Sequence, residues 1–324
     1  MQPIADTSTC ASLSVDLDNE WAYLASRGDP AWHEFSSYLA YVIPRILECL
    51  RQRGLKITFF VVGRDAEFAF NREALASVSA EGHEIGNHSL RHELWLHQYT
   101  ESEFESELAQ TEELLYTVTG QRPRGFRGPG FNYSEVTIKA LAKRGYLYNA
   151  STFPSFLGPI ARAYHLSKTY FGFEDRARLA HLFGGWREGL KPLRPYRWSF
   201  GPASLIEIPV TTCPVFRIPI HLTYVMYLAA LSPELARTYF RVAMAMCRCL
   251  QVEPSILLHP IDFLTSREAP RLASFPGMGL RESEKRSVLE SCLDYLQLNW
   301  PICSLERHAS LIAQRKNIPI AIIE

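Results

Sequence analysis

Short apolar runs alternate along this chain with longer stretches in which apolar residues recur every third or fourth position. The runs predict β-strands over residues 11–15, 57–62, 83–85, 125–127, 147–149, 205–209 and 255–259, with a further candidate at 302–305. The longer stretches predict helices with defined ends. Those over 38–53, 72–81 and 134–144 stop at Gly54, Gly82 and Gly145, a residue suited to the left-handed conformation that closes a helix. The helix over 101–119 opens on a capping box, Thr100 with Glu103, and stops at Gly120. Ser232-Pro233 starts a helix running to about Gln251, and residues 284–298 carry the last strong helical pattern.

Strand and helix in alternation imply an α/β fold with a parallel sheet, open or closed into a barrel. Several predicted strands end in polar residues: Asp16 and Asp18 after the first, Asn87 and His88 after the third, Arg127 at the fourth, His259 at the seventh. Parallel α/β folds build their sites where strands end at the carboxyl side, so these side chains collect on one face. Residues 155–201 break the alternation. They are rich in Gly, Pro, Arg and aromatics, with eight basic residues against three acidic ones. They read as an insertion folding over the site, either a solvated basic loop or an anion site for a substrate phosphate.

Composition narrows the function. Thirty-four Lys+Arg balance 34 Asp+Glu, for a net charge of zero, and 47% of residues are hydrophobic. A binder of nucleic acid that works through bulk positive charge is disfavoured. No run reaches the roughly 18 apolar residues of a membrane span. The most apolar stretch, 218–231, is shorter and contains Pro219 and His221. It reads as a buried segment or as a peripheral contact with lipid. The first residues lack the basic start and apolar block of a secretory signal, which leads to the expectation of a cytoplasmic protein. Seven scattered cysteines with no CxxC pair predict reduced, buried thiols, with Cys247 and Cys249 in the core.

Four motifs could carry chemistry. Asp16-Leu17-Asp18 puts two carboxylates where the chain leaves a strand, suited to a site or to helix capping. His88 and His92, four apart in HSLRH, have metal-ligand spacing if the segment turns as a helix, while His83 and His97 lack it. Arg127-Gly128-Pro129-Gly130 is a turn whose Arg can hold and aim a carboxylate. His259 follows a wholly apolar strand and is either an acid–base group or a core histidine.

Taken in order, Asp-x-Asp, TFFVVG, GHEIGNHSLRH, FRGP and LLH resemble the polysaccharide deacetylase family, also called the NodB-homology or carbohydrate esterase family 4 group. The resemblance covers residues 10–265 and implies one catalytic domain over 1–324. It implies a distorted, often seven-stranded (β/α) barrel, with the insertion at 155–201 and a C-terminal helical extension. It also implies metal-dependent removal of an N-acetyl group from an amino sugar, with Zn²⁺ as the ion, or Co²⁺, Ni²⁺ or Mn²⁺ in its place. By the same resemblance Asp18, His88 and His92 are the metal ligands, Asp16 the general base, Arg127 its orienting partner and His259 the general acid. Gly130, Phe131, Trp186 and Trp198 are candidate substrate contacts. The Leu between the two Asp residues sets the chain in a divergent branch that includes deformylases and imide hydrolases. The aromatic usual after Arg-x-Pro is Gly130, and no Asp-plus-Trp motif supports His259. Asp262 or Glu207 could take that place. The expected partner is an amino-sugar small molecule or glycolipid, in particular a lipid-linked precursor. The alternatives are a deformylase or imide hydrolase on the same site, and a non-catalytic carbohydrate-binding relative.

Overall fold

The first strand already sorts its side chains between two environments. In β1 (Ala11–Asp16) every residue is buried. Ala11, Leu13 and Val15 join the large core formed with the surrounding helices, whereas Ser12, Ser14 and Asp16 face the other way and bond to His308 and Arg127. The period of two therefore separates an apolar outside, covered by helices, from a polar inside. The computed structural model describes residues 9–158, 160, 163, 167, 169 and 186–323.

Seven strands run parallel in the order β8 (Ser255–Leu258), β1, β2 (Thr58–Val61), β3 (Glu84–Asn87), β4 (Gly125–Phe126), β5 (Tyr148–Asn149) and β7 (Ala203–Glu207). Beyond β7 the chain continues to Thr211, whose N–H donates to the Ser255 carbonyl at 3.0 Å. The Ser255 N–H in turn donates to Thr211 Oγ1 at 2.6 Å. These two bonds bring the last strand's extension back to β8, giving the distorted seven-stranded barrel that the family resemblance implied. Three strands lie outside the ring. β6 (Tyr196–Phe200) pairs antiparallel with β7, β9 (Ile302–Cys303) flanks β1, and β10 (Ile320–Ile322) flanks β6.

The described α-helices are α1 (Glu20–Ser26), α2 (Leu39–Arg51), α3 (Ala69–Ala80), α4 (Glu101–Thr119), α5 (Glu135–Lys143), α6 (Leu222–Ala229), α7 (Pro233–Cys249), α8 (Glu282–Asn299) and α9 (Leu305–Ala313), with short 3-10 turns between elements. α4 begins on the expected capping box and ends at Gly120 with φ 71°. The apolar run at 218–231 is mostly α6, which buries Leu222, Val225, Met226 and Ala229 against the core. Among the described residues no helix is long and apolar enough to cross a membrane. Cys247 is in the core, but Cys249 is exposed because α7 turns it toward solvent.

α9 has a specific task. Leu305, Ala309 and Ile312 pack with Phe60, Tyr148 and Ile206 at the end of the barrel away from the polar strand ends. Its first N–H groups donate to Thr58 Oγ1 at 2.8 Å and Glu84 Oε2 at 2.9 Å, so two strands cap the helix directly. Sequence patterning missed β6, β10, α1, α6 and α9. Of the insertion expected over 155–201, residues 196–200 form β6, and residues 170–185 lie outside the described residues.

Small residues make room inside. A Cβ on Gly125 would stand 1.9 Å from the Tyr148 ring, whose hydroxyl donates to Glu84 at 2.7 Å. Gly125→Ala should therefore displace that ring and destabilise the fold by about 1–3 kcal/mol, read as a lower urea midpoint. An unchanged midpoint would show that Tyr148 is free to move aside.

Candidate metal centre and active site

Three donors converge where β1 and β3 end. Nε2 of His88 lies 3.2 Å, and Nε2 of His92 3.1 Å, from the same Asp18 Oδ1. That oxygen is buried and makes no hydrogen bond of proper geometry, and His92 Nδ1 is likewise unpartnered. Two ring nitrogens and a carboxylate oxygen within 4.8 Å of one another, all buried, form the donor set of a divalent-ion site. His88 supplies a further sign. Its Nδ1 is 2.7 Å from the Arg127 carbonyl, which can only accept, so Nδ1 carries the proton and Nε2 is left as a ligand. With no ion bound, burial opposes charge on both partners. Even so, the two imidazoles hold Asp18 well below the usual carboxylate range, and Asp16 with Asp18 raises His88.

The two histidines do not reach the site by a helical turn, as their spacing suggested. Residues 88–92 form a loop in which Ser89 and His92 take left-handed backbone, with φ of 65° and 56°. The loop is held by two local bonds and by two partners distant in sequence, Tyr146 and Glu107. Asn87 Oδ1 accepts from Ser89 N, the Asn87 amide donates to Tyr146, Ser89 Oγ accepts from His92 N, and Glu107 accepts from Leu90 N. These bonds offset the cost of the left-handed residues.

Asp16 sits beside the triad, its Oδ2 4.0 Å from His88 Nε2. Its other oxygen meets Arg127 Nη1 at 2.6 Å. The guanidinium is fully buried, donates also to Ser14 Oγ and the Ala150 carbonyl, and lies over the Phe60 ring. It cannot swing, so neither can the carboxylate it holds.

His259 faces the triad from Asp18's side, Nε2 to Oδ2 at 3.9 Å. Its Nδ1 lies 2.8 Å from Thr223 Oγ1, which donates to Asp262 Oδ2 at 3.2 Å. The same oxygen accepts from the His259 backbone N–H at 2.8 Å. With its proton committed to Asp262, the Thr223 hydroxyl accepts from Nδ1–H, which leaves Nε2 turned toward the site. Asp262 thus supports His259, but through Thr223. Glu207 does not: it is buried with Asn149, Thr152 N and Trp198 Nε1.

These groups open on one cavity of about 190 Å³. Gly130 and Phe131 line it as expected, both with left-handed backbone, and Phe131 stacks on Phe153. Trp186 and Trp198 do not line it. Trp186 is 62% exposed, and Trp198 is tied to Glu207 and packed on Tyr133 and Tyr196. The aromatic walls include Tyr23, Tyr224, Tyr227 and Phe275 instead. Of the basic residues expected to form an anion site, the described Arg187, Lys191, Arg194 and Arg197 do not line the cavity, and the last three bond elsewhere. His83 is buried at the start of β3 and lowered to about 4 by burial, away from the site. His97 also lies outside the cavity lining.

Sequence reasoning missed Thr223, His221 and the two tyrosines of α6, all hidden in the apolar run. His221 is buried beside His259, their ring centres 5.6 Å apart. Burial, His259 and Arg127 together keep it well below the ordinary imidazole range, hence neutral. A polar residue at the head of an otherwise apolar helix was the one available signal for Thr223. The loop leading to Asp18 was also unforeseen. Asn19 and Trp21 both donate to buried Asp65 at 2.8 Å, and Tyr38 donates to the Asp18 carbonyl. Burial pushes Asp65 up to about 7.

Comparison with known proteins agrees with this arrangement. The family profile described as polysaccharide deacetylase matches residues 34–149, which carry His88, His92 and Arg127. A peptidoglycan-N-acetylglucosamine deacetylase of Bacillus cereus is 33% identical over 32% of this chain and 37% of its own length. A peptidoglycan deacetylase of Helicobacter pylori is 33% identical over 43% of this chain and 48% of its own. The matched region is thus less than half the length of either relative. Among solved structures, a Mycobacterium smegmatis protein described as a polysaccharide deacetylase superposes with a TM-score of 0.63 at 20% identity, covering 97% of this chain and 94% of that one. An allantoinase has the same fold, with a TM-score of 0.57 at 13% identity over 96% and 93% of the two chains.

The donor set makes a direct prediction. Zn²⁺ added to the metal-stripped protein should bind one ion per chain by calorimetry. Asp18→Ala, His88→Ala or His92→Ala should each weaken binding by more than the roughly 10–100-fold that loss of a merely orienting partner costs. Asp16→Asn should leave it largely intact. Because His88 is raised in the ion-free state and must lose its Nε2 proton to bind, affinity should fall as pH drops, starting above the ordinary imidazole range.

Proposed function

We propose that this chain, whose residues 34–149 match the polysaccharide deacetylase profile, is a divalent-metal-dependent hydrolase of that family that removes an N-acetyl group from an amino sugar. One observation carries this reading: Asp16 on its buried guanidinium, the three convergent donors, and His259 on its hydroxyl relay all border one cavity. An amide needs all three kinds of help, since its carbonyl is unreactive and its amine leaves poorly. An ion held by Asp18, His88 and His92, with Zn²⁺ the best match to two imidazoles and a carboxylate, would polarise the carbonyl and acidify a water.

The chain's own residues do the rest. Asp16 takes the proton of the attacking water, and Arg127 keeps that carboxylate aimed. His259 delivers a proton from Nε2 to the departing nitrogen. Its Nδ1 bond to Thr223 keeps the ring from turning over, and Asp262 orders the Thr223 hydroxyl. Gly130 and Phe131 shape one wall, and the faces of Tyr224, Tyr227 and Phe275 are suited to the apolar face of a pyranose ring. The substrate is an N-acetylated amino sugar, in a glycan such as the relatives' names specify or in a smaller cytoplasmic precursor such as a lipid-linked sugar.

The test is release of acetate from N-acetylglucosamine oligomers, peptidoglycan fragments and a lipid-linked N-acetylamino sugar, with and without a chelator. Full activity after complete removal of metal would refute the reading. Formate from an N-formyl sugar in place of acetate would make the chain a deformylase on the same site, and binding without turnover would make it a non-catalytic relative. Asp16→Asn should lower kcat by roughly 10²–10⁴ with metal content unchanged. Thr223→Val should cost about tenfold in kcat, the scale of one hydrogen bond, with little change in KM.

A further inference from the structure

At the end of the barrel away from the cavity, two cysteines meet. Cys10 leads into β1 and Cys303 ends β9, where Ser12 lies opposite Cys303. The Cys303 thiol donates to Cys10 Sγ, and the two sulfurs are 2.8 Å apart. A disulfide holds its sulfurs about 2.05 Å apart, so closing this pair asks each to move by roughly 0.4 Å. Flanking backbone is already fixed: the Ala11 N–H donates to the Pro301 carbonyl at 2.9 Å.

The surroundings favour reaction here. His308 is buried beside the pair, with Nδ1 3.0 Å from Ser12 Oγ and Nε2 3.7 Å from Glu253 Oε2. Arg315 grips both oxygens of Glu253 at 2.6 Å. The hydrogen bond from Cys303, with His308 and Arg315 nearby, lowers the Cys10 thiol to about 7 despite its burial. Cys303 is only half-buried, so small reagents can reach the pair. The other cysteines have no such partner among the described residues. Cys213, for example, donates to the Met246 sulfur at 3.7 Å, and a thioether cannot close a disulfide.

We propose that Cys10 and Cys303 form a redox site, in which a two-electron oxidant such as hydrogen peroxide converts the two thiols into a disulfide tying the head of β1 to the end of β9. The Cys10 thiolate attacks one peroxide oxygen. The O–O bond breaks, leaving Cys10 as a sulfenic acid and releasing hydroxide. The Cys303 sulfur then attacks the Cys10 sulfur, the S–S bond forms, the S–O bond breaks, and water departs with the Cys303 proton. The hydroxide takes up the proton that Cys10 gave up, so two thiols lose two electrons and peroxide becomes two waters. A dithiol reductant reverses the change. The closed loop spans 293 residues, so the crosslink restricts nearly the whole described chain in the unfolded state. It also anchors the residue that precedes Ser304, the N-cap of α9.

The experiment treats the full chain with one to a few equivalents of hydrogen peroxide and maps its peptides without reduction. The expected product is one crosslinked pair, Cys10 with Cys303, lighter than the two free peptides by about two mass units for the hydrogens lost. It should vanish with dithiothreitol, and its urea midpoint should be higher than that of the reduced protein. Cys303→Ser should abolish both the crosslink and the shift, and leave Cys10 trappable as a sulfenic acid by dimedone. Cys10→Ser serves as a second variant should the first fail to fold. If both cysteines stay free thiols while exposed Cys249 oxidises, or if either pairs with another cysteine, the proposal fails. Zn²⁺ binding at the remote triad should be the same in both redox forms, which keeps this outcome separate from that of the hydrolase assay.

Discussion

Arg127 is the constraint on which the site depends. Its charge is fully buried, a placement that costs heavily unless every side is answered. Asp16 and Ser14 from β1 answer it at Nη1, the Ala150 carbonyl beyond β5 at Nε and the face of Phe60 from β2 below, while Nη2 has no hydrogen-bond partner. The same residue's backbone carbonyl takes the His88 Nδ1 proton. One residue therefore fixes the proposed base and sets the tautomer of a proposed ligand. Removing one side of such a buried pair commonly costs about 3–5 kcal/mol, because the other charge is left behind. Here it would also release four strands from a common contact.

That contact is possible because the inside of the barrel carries polar side chains from one end to the other, interleaved with apolar ones such as Phe60 and Ile206. Ser12 and His308 lie at the closed end, Ser14 and Arg127 in the middle, Asp16 at the open end. Glu84 is satisfied by Thr58, Tyr148 and the head of α9, and Glu207 by Asn149, Thr152 and Trp198. Buried polar networks of this kind are stabilising only when complete. The largest apolar cluster lies on the outer faces of the strands, where helices α2, α3, α7 and α8 pack.

The parts legible in the sequence were those encoded by short spacing. Alternation of strand and helix gave the parallel sheet, and polar residues at or just after strand ends gave Asp16, Asp18, His88, His92 and His259, which line one cavity, and Arg127, which holds Asp16. What escaped was set by tertiary partners. The HSLRH loop keeps its two imidazoles together through left-handed residues, anchored by Glu107 on Leu90 and by Tyr146 on Asn87, so the pair converges by a geometry that helical spacing did not predict. Thr223 lay in an apolar run and gained meaning only when α6 met the turn after β8. The two tryptophans were chosen for chemistry without position, and the fold sends them elsewhere. β6 carries Arg, Trp and Ser in a stretch that reads as loop, and it exists because β7 offers it an antiparallel edge.

The position of β1 has a consequence for how the molecule is made. β1 is translated first among the described strands, yet two of its three neighbours, β8 and β9, come from residues 255–258 and 302–303. α9, which fills the barrel's closed end, follows them. During synthesis the nascent chain can pair β1 with β2, but the strand that carries Asp16 and leads to Asp18 stays open along its other edge until residues 255–258 and 302–303 have left the ribosome. Loop-closure entropy makes such distant pairings late events. The first residues of the barrel to be synthesised are thus among the last to be enclosed, and the interval is one in which chaperone protection of that edge would matter most.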